Sequence, residues 1–331
     1  MKISVQTGYT IGVLGIDAAF DAYRSAGFDC VDLGIDENVT ISWREKLNGD
    51  EDPFFGDRNN YMAYVAAIKA ASERTGVKIG QAHAPFPLGS YGNEPMNARG
   101  IEWGNICIEI CHLLGCDKLV IHPLQSINMR QDPSSSATEW EMNIPLYTAL
   151  IPQLRKYKVT CCLENLWKFD YVAKKIYSGV CSDIEEACKY IDYLNGVAGE
   201  KLFGFCLDTG HLTLAALDTK QAIERLGDRL AALHINDNHG IEDNHVNPYS
   251  GVTLWDRFIR GIAESNFNGN LNFETFGQYK AVPDDFIATA LGWTADIGRY
   301  FDKKIAEIRA AKKVNCQEKC NKLSNSWIHK S

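Results

Sequence analysis

Short apolar runs that stop on a polar residue recur along the chain. The clearest is Leu202–Leu207 (LFGFCL), which ends in Asp208 and is followed closely by His211. A run of this length predicts a strand buried on both faces, as in a parallel sheet, and ligands in such sheets bind where strands stop. The same pattern predicts strands at Lys2–Gln6, Phe28–Leu33, Val77–Ala82, Lys118–Ile121, Val159–Leu163, Leu230–Leu233 and Asn270–Phe273. Between them, helical periodicity marks Asp17–Ala26, Tyr61–Arg74, Ala98–Leu114, Glu139–Tyr157, Ser182–Asn195, Thr219–Leu226 and Leu254–Ser265, with one or two helices in Asp284–Lys312. Gly27, Gly76 and Gly115 stop three of the helices.

Eight strands alternating with eight helical stretches over 331 residues predict an α/β fold, a single-domain (β/α)8 TIM barrel over residues 1–312 with a polar C-terminal tail at 313–331. A doubly wound open sheet is the alternative, yet no GxGxxG or GxxxxGK[ST] phosphate loop is present. Asn38–Asn59, Pro85–Met96, the basic and aromatic insertion Trp167–Tyr177, and Asp237–Gly251 read as loops. Long loops of this kind usually cover a site.

Composition narrows the classes. A net charge of −8 and a pI near 5.5 oppose a nucleic-acid partner, because phosphate binding depends on clustered Lys and Arg. No segment approaches 18 uninterrupted apolar residues, so no membrane span is expected. The eleven cysteines are scattered through apolar patterns, with Cys316 and Cys320 in the polar tail and no CxxC pair. They read as reduced thiols of a cytoplasmic protein. Whether the chain forms a homo-oligomer stays open.

Candidate chemistry sits at the strand ends: His83, His122, Glu164, Asp208 with nearby His211, His234 and Glu274. In a closed barrel these ends meet at one face. Carboxylates and imidazoles crowded into a small volume repel each other and are costly to desolvate unless a cation holds them. Five of the eight histidines (His83, His122, His211, His234 and His245) fall at strand ends or in an adjoining loop. His112 lies in a helix, His239 in a loop and His329 in the tail, and these three read as structural or solvated.

The set LEN at Glu164, LDTGH at Asp208–His211, HIND from His234 and FE at Glu274 resembles the xylose isomerase-like TIM barrel superfamily, whose members include sugar epimerases, isomerases, inosose dehydratases and endonuclease IV-type enzymes. The resemblance implies a divalent metal held by Glu164, Asp208, His234 and Glu274, with Mn²⁺ the first expectation and Zn²⁺, Co²⁺ or Mg²⁺ as alternatives. It implies a sugar or keto-sugar substrate isomerised or epimerised through a metal-stabilised enediolate. Glu164 and Glu274 form the acid/base pair, and His211 orients the substrate carbonyl. His83, His122, Trp167 and His245 are the expected substrate contacts, and Phe86, Trp167 and Trp255 candidate apolar walls.

One feature departs from the resemblance: the stretch after His234 (NDNHGIEDNH) lacks the Arg that sugar epimerases of this kind often carry. A second reading is a metal-dependent lyase or dehydratase on a keto sugar, including cleavage of a sugar–aglycone bond. A third is an endonuclease IV-type phosphodiesterase, for whose three-zinc ligands the resemblance offers His83, His122, Glu164, Asp208, His211, His234, Asp243, His245 and Glu274, and which the acidic balance opposes.

Overall fold

The computed structural model describes residues 1–126 and 133–328, with the side chains of 133–135 and 314–328 excepted. The thiols of Cys316 and Cys320, and the whole of His329, lie outside the described residues. Ten strands are present among those described: β1 (Ile3–Gln6), β2 (Cys30–Gly34), β3 (Lys78–His83), β4 (Lys118–Val120), β5 (Thr160–Glu164), β6 (Trp167–Asp170), β7 (Lys175–Ser178), β8 (Phe203–Asp208), β9 (Leu230–His234) and β10 (Leu271–Phe273). Eight of them pair in parallel in the order β10–β1–β2–β3–β4–β5–β8–β9. Just past β9, Ile235 N donates to Asn272 O at 2.8 Å and Glu274 N donates to Ile235 O at 3.0 Å. These bonds bring the two edge strands together, so the sheet curls into the expected (β/α)8 barrel with helices outside.

Period-two alternation sorts the strand residues into two layers. On β5 and β8, Leu163, Phe205 and Leu207 point outward into the main core beneath the helices. Cys162 and Cys206 point inward and pack with Val120 and Ala232 in a small apolar plug of their own. The described cysteines carry free thiols, all of them buried. They fill space as small apolar groups, as their sequence positions suggest.

Two expected loops carry regular structure. Residues 38–59 include helices at Trp43–Asn48 and Pro53–Gly56, the first fixed by a reciprocal capping box between Ser42 and Glu45. The insertion at Trp167–Tyr177 is an antiparallel hairpin, β6 against β7, with Trp167 opposite Ser178 and Asp170 opposite Lys175. Short helices also follow β1, β8 and β10, at Thr10–Leu14, Thr209–Leu214 and Phe276–Lys280. Each is a single turn or slightly more, too short to leave a periodic signal.

Candidate metal centre

The alternation that builds the plug also builds the site. Two residues beyond Val120, Cys162, Cys206 and Ala232 stand His122, Glu164, Asp208 and His234, so side chains on the same inward face emerge at the barrel mouth. Register supports this, because Asp208 pairs with His234 across β8 and β9. Glu274 follows the same step from the inward Asn272 on β10.

One donor atom from each of Glu164, Asp208, His234 and Glu274 lies within 4.8 Å of the others, and all four residues are buried. His234 Nδ1 is 3.0 Å from Glu164 Oε2 and 3.2 Å from Glu274 Oε2. Glu274 Oε1 accepts from Gln6 Nε2 at 3.0 Å. Asp208 caps the helix behind it by accepting from His211 N at 2.7 Å, and its other oxygen accepts from Asn236 Nδ2 at 2.7 Å. The capping role and the site position therefore coexist in one side chain.

Two further groups flank this one. His83 Nε2 lies 3.0 Å from His122 Nε2, which in turn lies 3.0 Å from Glu164 Oε2. On the other side, Asp243 Oδ2 is 3.2 Å from both His211 Nε2 and His245 Nε2. In three of these four rings Nδ1 faces a backbone carbonyl: His83 Nδ1 lies 2.7 Å from Ala84 O, His211 Nδ1 2.7 Å from Asn165 O, and His245 Nδ1 3.0 Å from Glu274 O. Such contacts fix each ring and leave Nε2 directed at the cavity.

Charge in the group is uneven. Burial pushes the Glu164 carboxyl up, but the adjacent His234 and His122 outweigh it and hold the group well below the usual carboxylate range. Burial dominates at Glu274, which is pushed up to about 8 against the pull of His234 and His245. His211 and His234 are held well above the ordinary imidazole value although burial opposes their charge. Asp208 and Asp243 do this for His211; the carboxylates of Glu164 and Asp32 do it for His234. His83 is lowered, by burial and by its neighbours His122 and His234.

The residues suit a divalent cation. Glu164 Oε1, His234 Nδ1 and His122 Nδ1 are buried without a hydrogen bond, and so are Asp243 Oδ1 and Asp32 Oδ1. Unsatisfied buried polar atoms are costly, and here they cluster where carboxylate and imidazole donors converge. The donor chemistry suits a first-row divalent metal and does not select one.

Residues 20–297 match the xylose isomerase-like TIM barrel family. The chain belongs to that family. A relative from Sinorhizobium fredii, called uncharacterized protein y4fM, is 44% identical over 176 residues, which is 53% of this chain and 52% of that one. The chain thus matches about half of that relative's length.

Solved structures of similar shape include a D-tagatose 3-epimerase-like protein (TM-score 0.67, 17% identity, 94% of this chain and 99% of that one). Two others are the 3-keto-D-glucoside 4-epimerase of E. coli (0.63, 16%, 89% and 98%) and the D-allulose 3-epimerase of a Methylomonas species (0.64, 13%, 92% and 96%). At these identities the likeness is one of fold.

Within this family fold, the strand-end residues singled out from sequence all meet at the barrel mouth. His83, His122, Trp167, His211, His245 and Glu274 line a cavity of about 410 Å³, with Phe86 at its edge. Trp255 does not belong there. It is buried, donates from Nε1 to Asp237 Oδ2 at 3.0 Å, and packs on Phe258 and Phe301, so it is a core residue. His239 is exposed, and His112 rests on Tyr157 on the outside of the barrel.

Sequence reasoning missed Asp32, Gln81 and Asn272, which form a polar layer under His234. It also missed Asp36 on the cavity wall. The signal for Asp32 was a carboxylate inside the apolar run FDCVDL, the same kind of cue that exposed Glu164. No helix among the described residues is long and apolar enough to cross a membrane.

Proposed function

We propose that the protein is a divalent-metal-dependent sugar isomerase or epimerase whose acid/base pair is Glu164 and Glu274. One observation carries the reading: two buried carboxyls, at the ends of strands that are not neighbours, flank His234 Nδ1 at 3.0 and 3.2 Å at the mouth of the barrel. Two carboxyls placed around one cation can exchange protons with a substrate held between them. The sugar epimerases of the same fold support the substrate class.

Glu164, Asp208, His234 and Glu274 would hold the cation, which supplies Lewis acidity toward neighbouring carbonyl and hydroxyl oxygens. Ionised Glu164 accepts a proton from the carbon next to the substrate carbonyl. Glu274 works beside it and returns a proton, taken up from solvent, to the same carbon in epimerisation, or to the neighbouring carbon in isomerisation while a hydroxyl proton passes to the former carbonyl oxygen. The charged His211, its ring held at Nδ1 by Asn165 O, would donate from Nε2 to a substrate oxygen that takes the place of Asp243. His83, His122 and His245 bind further hydroxyls, and Trp167 and Phe86 close the cavity around the ring. Among the described residues no lysine or arginine lines this cavity, which favours an unphosphorylated sugar and disfavours a phosphodiester.

Elimination from a keto sugar is the second reading, favoured by the same placement, since a carboxyl at Glu274 that can return a proton to carbon can equally deliver one to a leaving group. The deciding experiment incubates the Mn²⁺-loaded protein with free and keto sugars in D₂O. Deuterium entering a carbon-bound position without loss of a substituent supports the isomerase. Elimination product supports the lyase, and absence of both sinks the proposal.

A further inference from the structure

Beside the metal cavity lies a second one of about 520 Å³, and the two share Phe86, Gln125 and Trp167 in their walls. Its other rings are Trp43, Phe169 and Tyr171. Trp43 is 50% exposed, Phe86 46% and Tyr171 64%, although most large apolar side chains of the chain are buried. Large rings left in water around one concave surface mark a place that something covers.

The walls are held in place before any ligand arrives. Trp167 donates from Nε1 to Asp243 Oδ2 at 3.0 Å, so its indole runs from the metal cavity into the cleft. Behind it the Gln125 side chain donates to Trp167 O and accepts from Val180 N, pinning both edges of the hairpin. A Cβ on Gly179 would fall 2.4 Å from Gln125 Oε1, so only glycine permits that clamp. The capping box at Ser42 fixes the start of the helix that carries Trp43. Preorganised walls lower the cost of ordering on binding.

We propose that this cleft takes the aromatic aglycone of a glycoside. The preferred substrate is then a sugar joined to a planar aromatic group, its sugar ring at Glu164 and Glu274 and its aromatic ring among Trp43, Trp167 and Tyr171. The proposal rests on the sugar-directed reading above and adds the substrate class. Cavities that share walls in this way offer adjoining places to one molecule in two parts.

The polar groups decide which second part. Gln125 is spent on the hairpin, Ser126 Oγ donates to Glu139 Oε1 at 3.2 Å, and the Lys168 ammonium is paired with Glu139. Among the described lining residues Ser90 and Tyr171 keep hydroxyls to offer, few partners for the hydroxyls of a second sugar ring, whereas an aromatic ring needs only stacking faces.

The test is calorimetric, on the Mn²⁺-loaded protein with its site residues unaltered; the glycosides used carry no carbonyl group, so turnover does not intrude. Phenyl β-D-glucopyranoside should bind about tenfold more tightly than methyl β-D-glucopyranoside. The ratio should fall toward one when Trp43→Ala or Tyr171→Ala is added; both side chains are exposed and their loss leaves the core intact. Equal affinity for the two glycosides, a ratio that survives both substitutions, or tighter binding of cellobiose than of the phenyl glucoside would each overturn the assignment. Failure here, with deuterium exchange on free sugars intact, removes the aglycone site alone. A phenyl preference without exchange on any sugar removes the isomerase reading instead.

Discussion

Asp32 Oδ2 lies 3.0 Å from His234 Nε2, although the two residues are 202 positions apart and stand on barrel strands that are not neighbours. The same oxygen accepts from Gln81 Nε2 at 2.9 Å and Asn272 Nδ2 at 3.0 Å. With Nε2 committed to Asp32, the nitrogen that would give up its proton to a cation is Nδ1, which faces the space between Glu164 and Glu274. Asp32→Asn keeps the volume and removes the charge that makes Nδ1 a good donor. It should weaken divalent-cation binding roughly 10–100-fold while the barrel stays folded, measured by competition with a chromogenic chelator. Unchanged affinity would show that the polar layer under His234 serves packing alone.

Loading of the cation should release protons. In the metal-free protein His245 is pushed up to about 9 and Glu274 to about 8, although burial opposes the charge on His245. Both ordinary values lie lower, so the folded cluster binds more protons than the unfolded chain through this range. The stabilising contribution of His245 is complete below its unfolded value and disappears as pH rises through about 9. The cost of ionising buried Glu274 grows over a range ending near 8. Chelator-treated protein should therefore lose thermal stability from pH 6.5 to 9, and added Mn²⁺ should restore more at the alkaline end. A Tm that is flat or rises with pH without metal would contradict this charge arrangement.

Glu164→Gln and Glu274→Gln should each lower turnover about 10²–10⁴-fold, the usual share of general acid/base catalysis, more if cation binding is also lost. Deuterium exchange in the identified sugar, measured at saturating metal, separates the two causes. An exchange rate near that of the unaltered protein in either variant would remove that residue from the proton-transfer role. Thermal unfolding of both variants should remain cooperative, since neither glutamate belongs to the apolar core beneath the helices.

Glu164 and Glu274 were legible because each ends an apolar run with a charge that needs a partner. Asp32 gave the same cue, but in FDCVDL it stands three positions from Asp29, so period-two alternation puts the two aspartates on opposite faces and does not say where the face that carries Asp32 points. Only the register with Gln81, and the curl that brings β9 across, shows that this face is the barrel interior. The hairpin at Trp167–Ser178 was hidden for a different reason. Its turn contains no glycine, and Lys174 itself takes the left-handed conformation at φ 55°. Asp208 read equally well as a helix cap or a ligand, and the structure gives its oxygens a place in both settings.

Two helical glycines should respond oppositely to alanine. Gly100 lies in the helix Glu94–Leu113, where a Cβ would fall 1.5 Å from Leu88 O, on the loop that also carries Phe86. Gly196 lies in the helix Ile184–Ala198, and a Cβ there would meet nothing within 4 Å. Gly196→Ala therefore gains helix propensity without a clash and should stabilise the protein by about 0.5–1 kcal/mol. Gly100→Ala has to push backbone aside and should cost roughly 1–3 kcal/mol. The displaced loop also moves the Phe86 ring, which stands 4.7 Å from His122, so Gly100→Ala should weaken sugar binding as well. Urea unfolding midpoints moving in opposite directions check the first claim. If both variants are stabilised, close approach of helix and loop does not position Phe86, and the aromatic edge of the site is set by something other than Gly100.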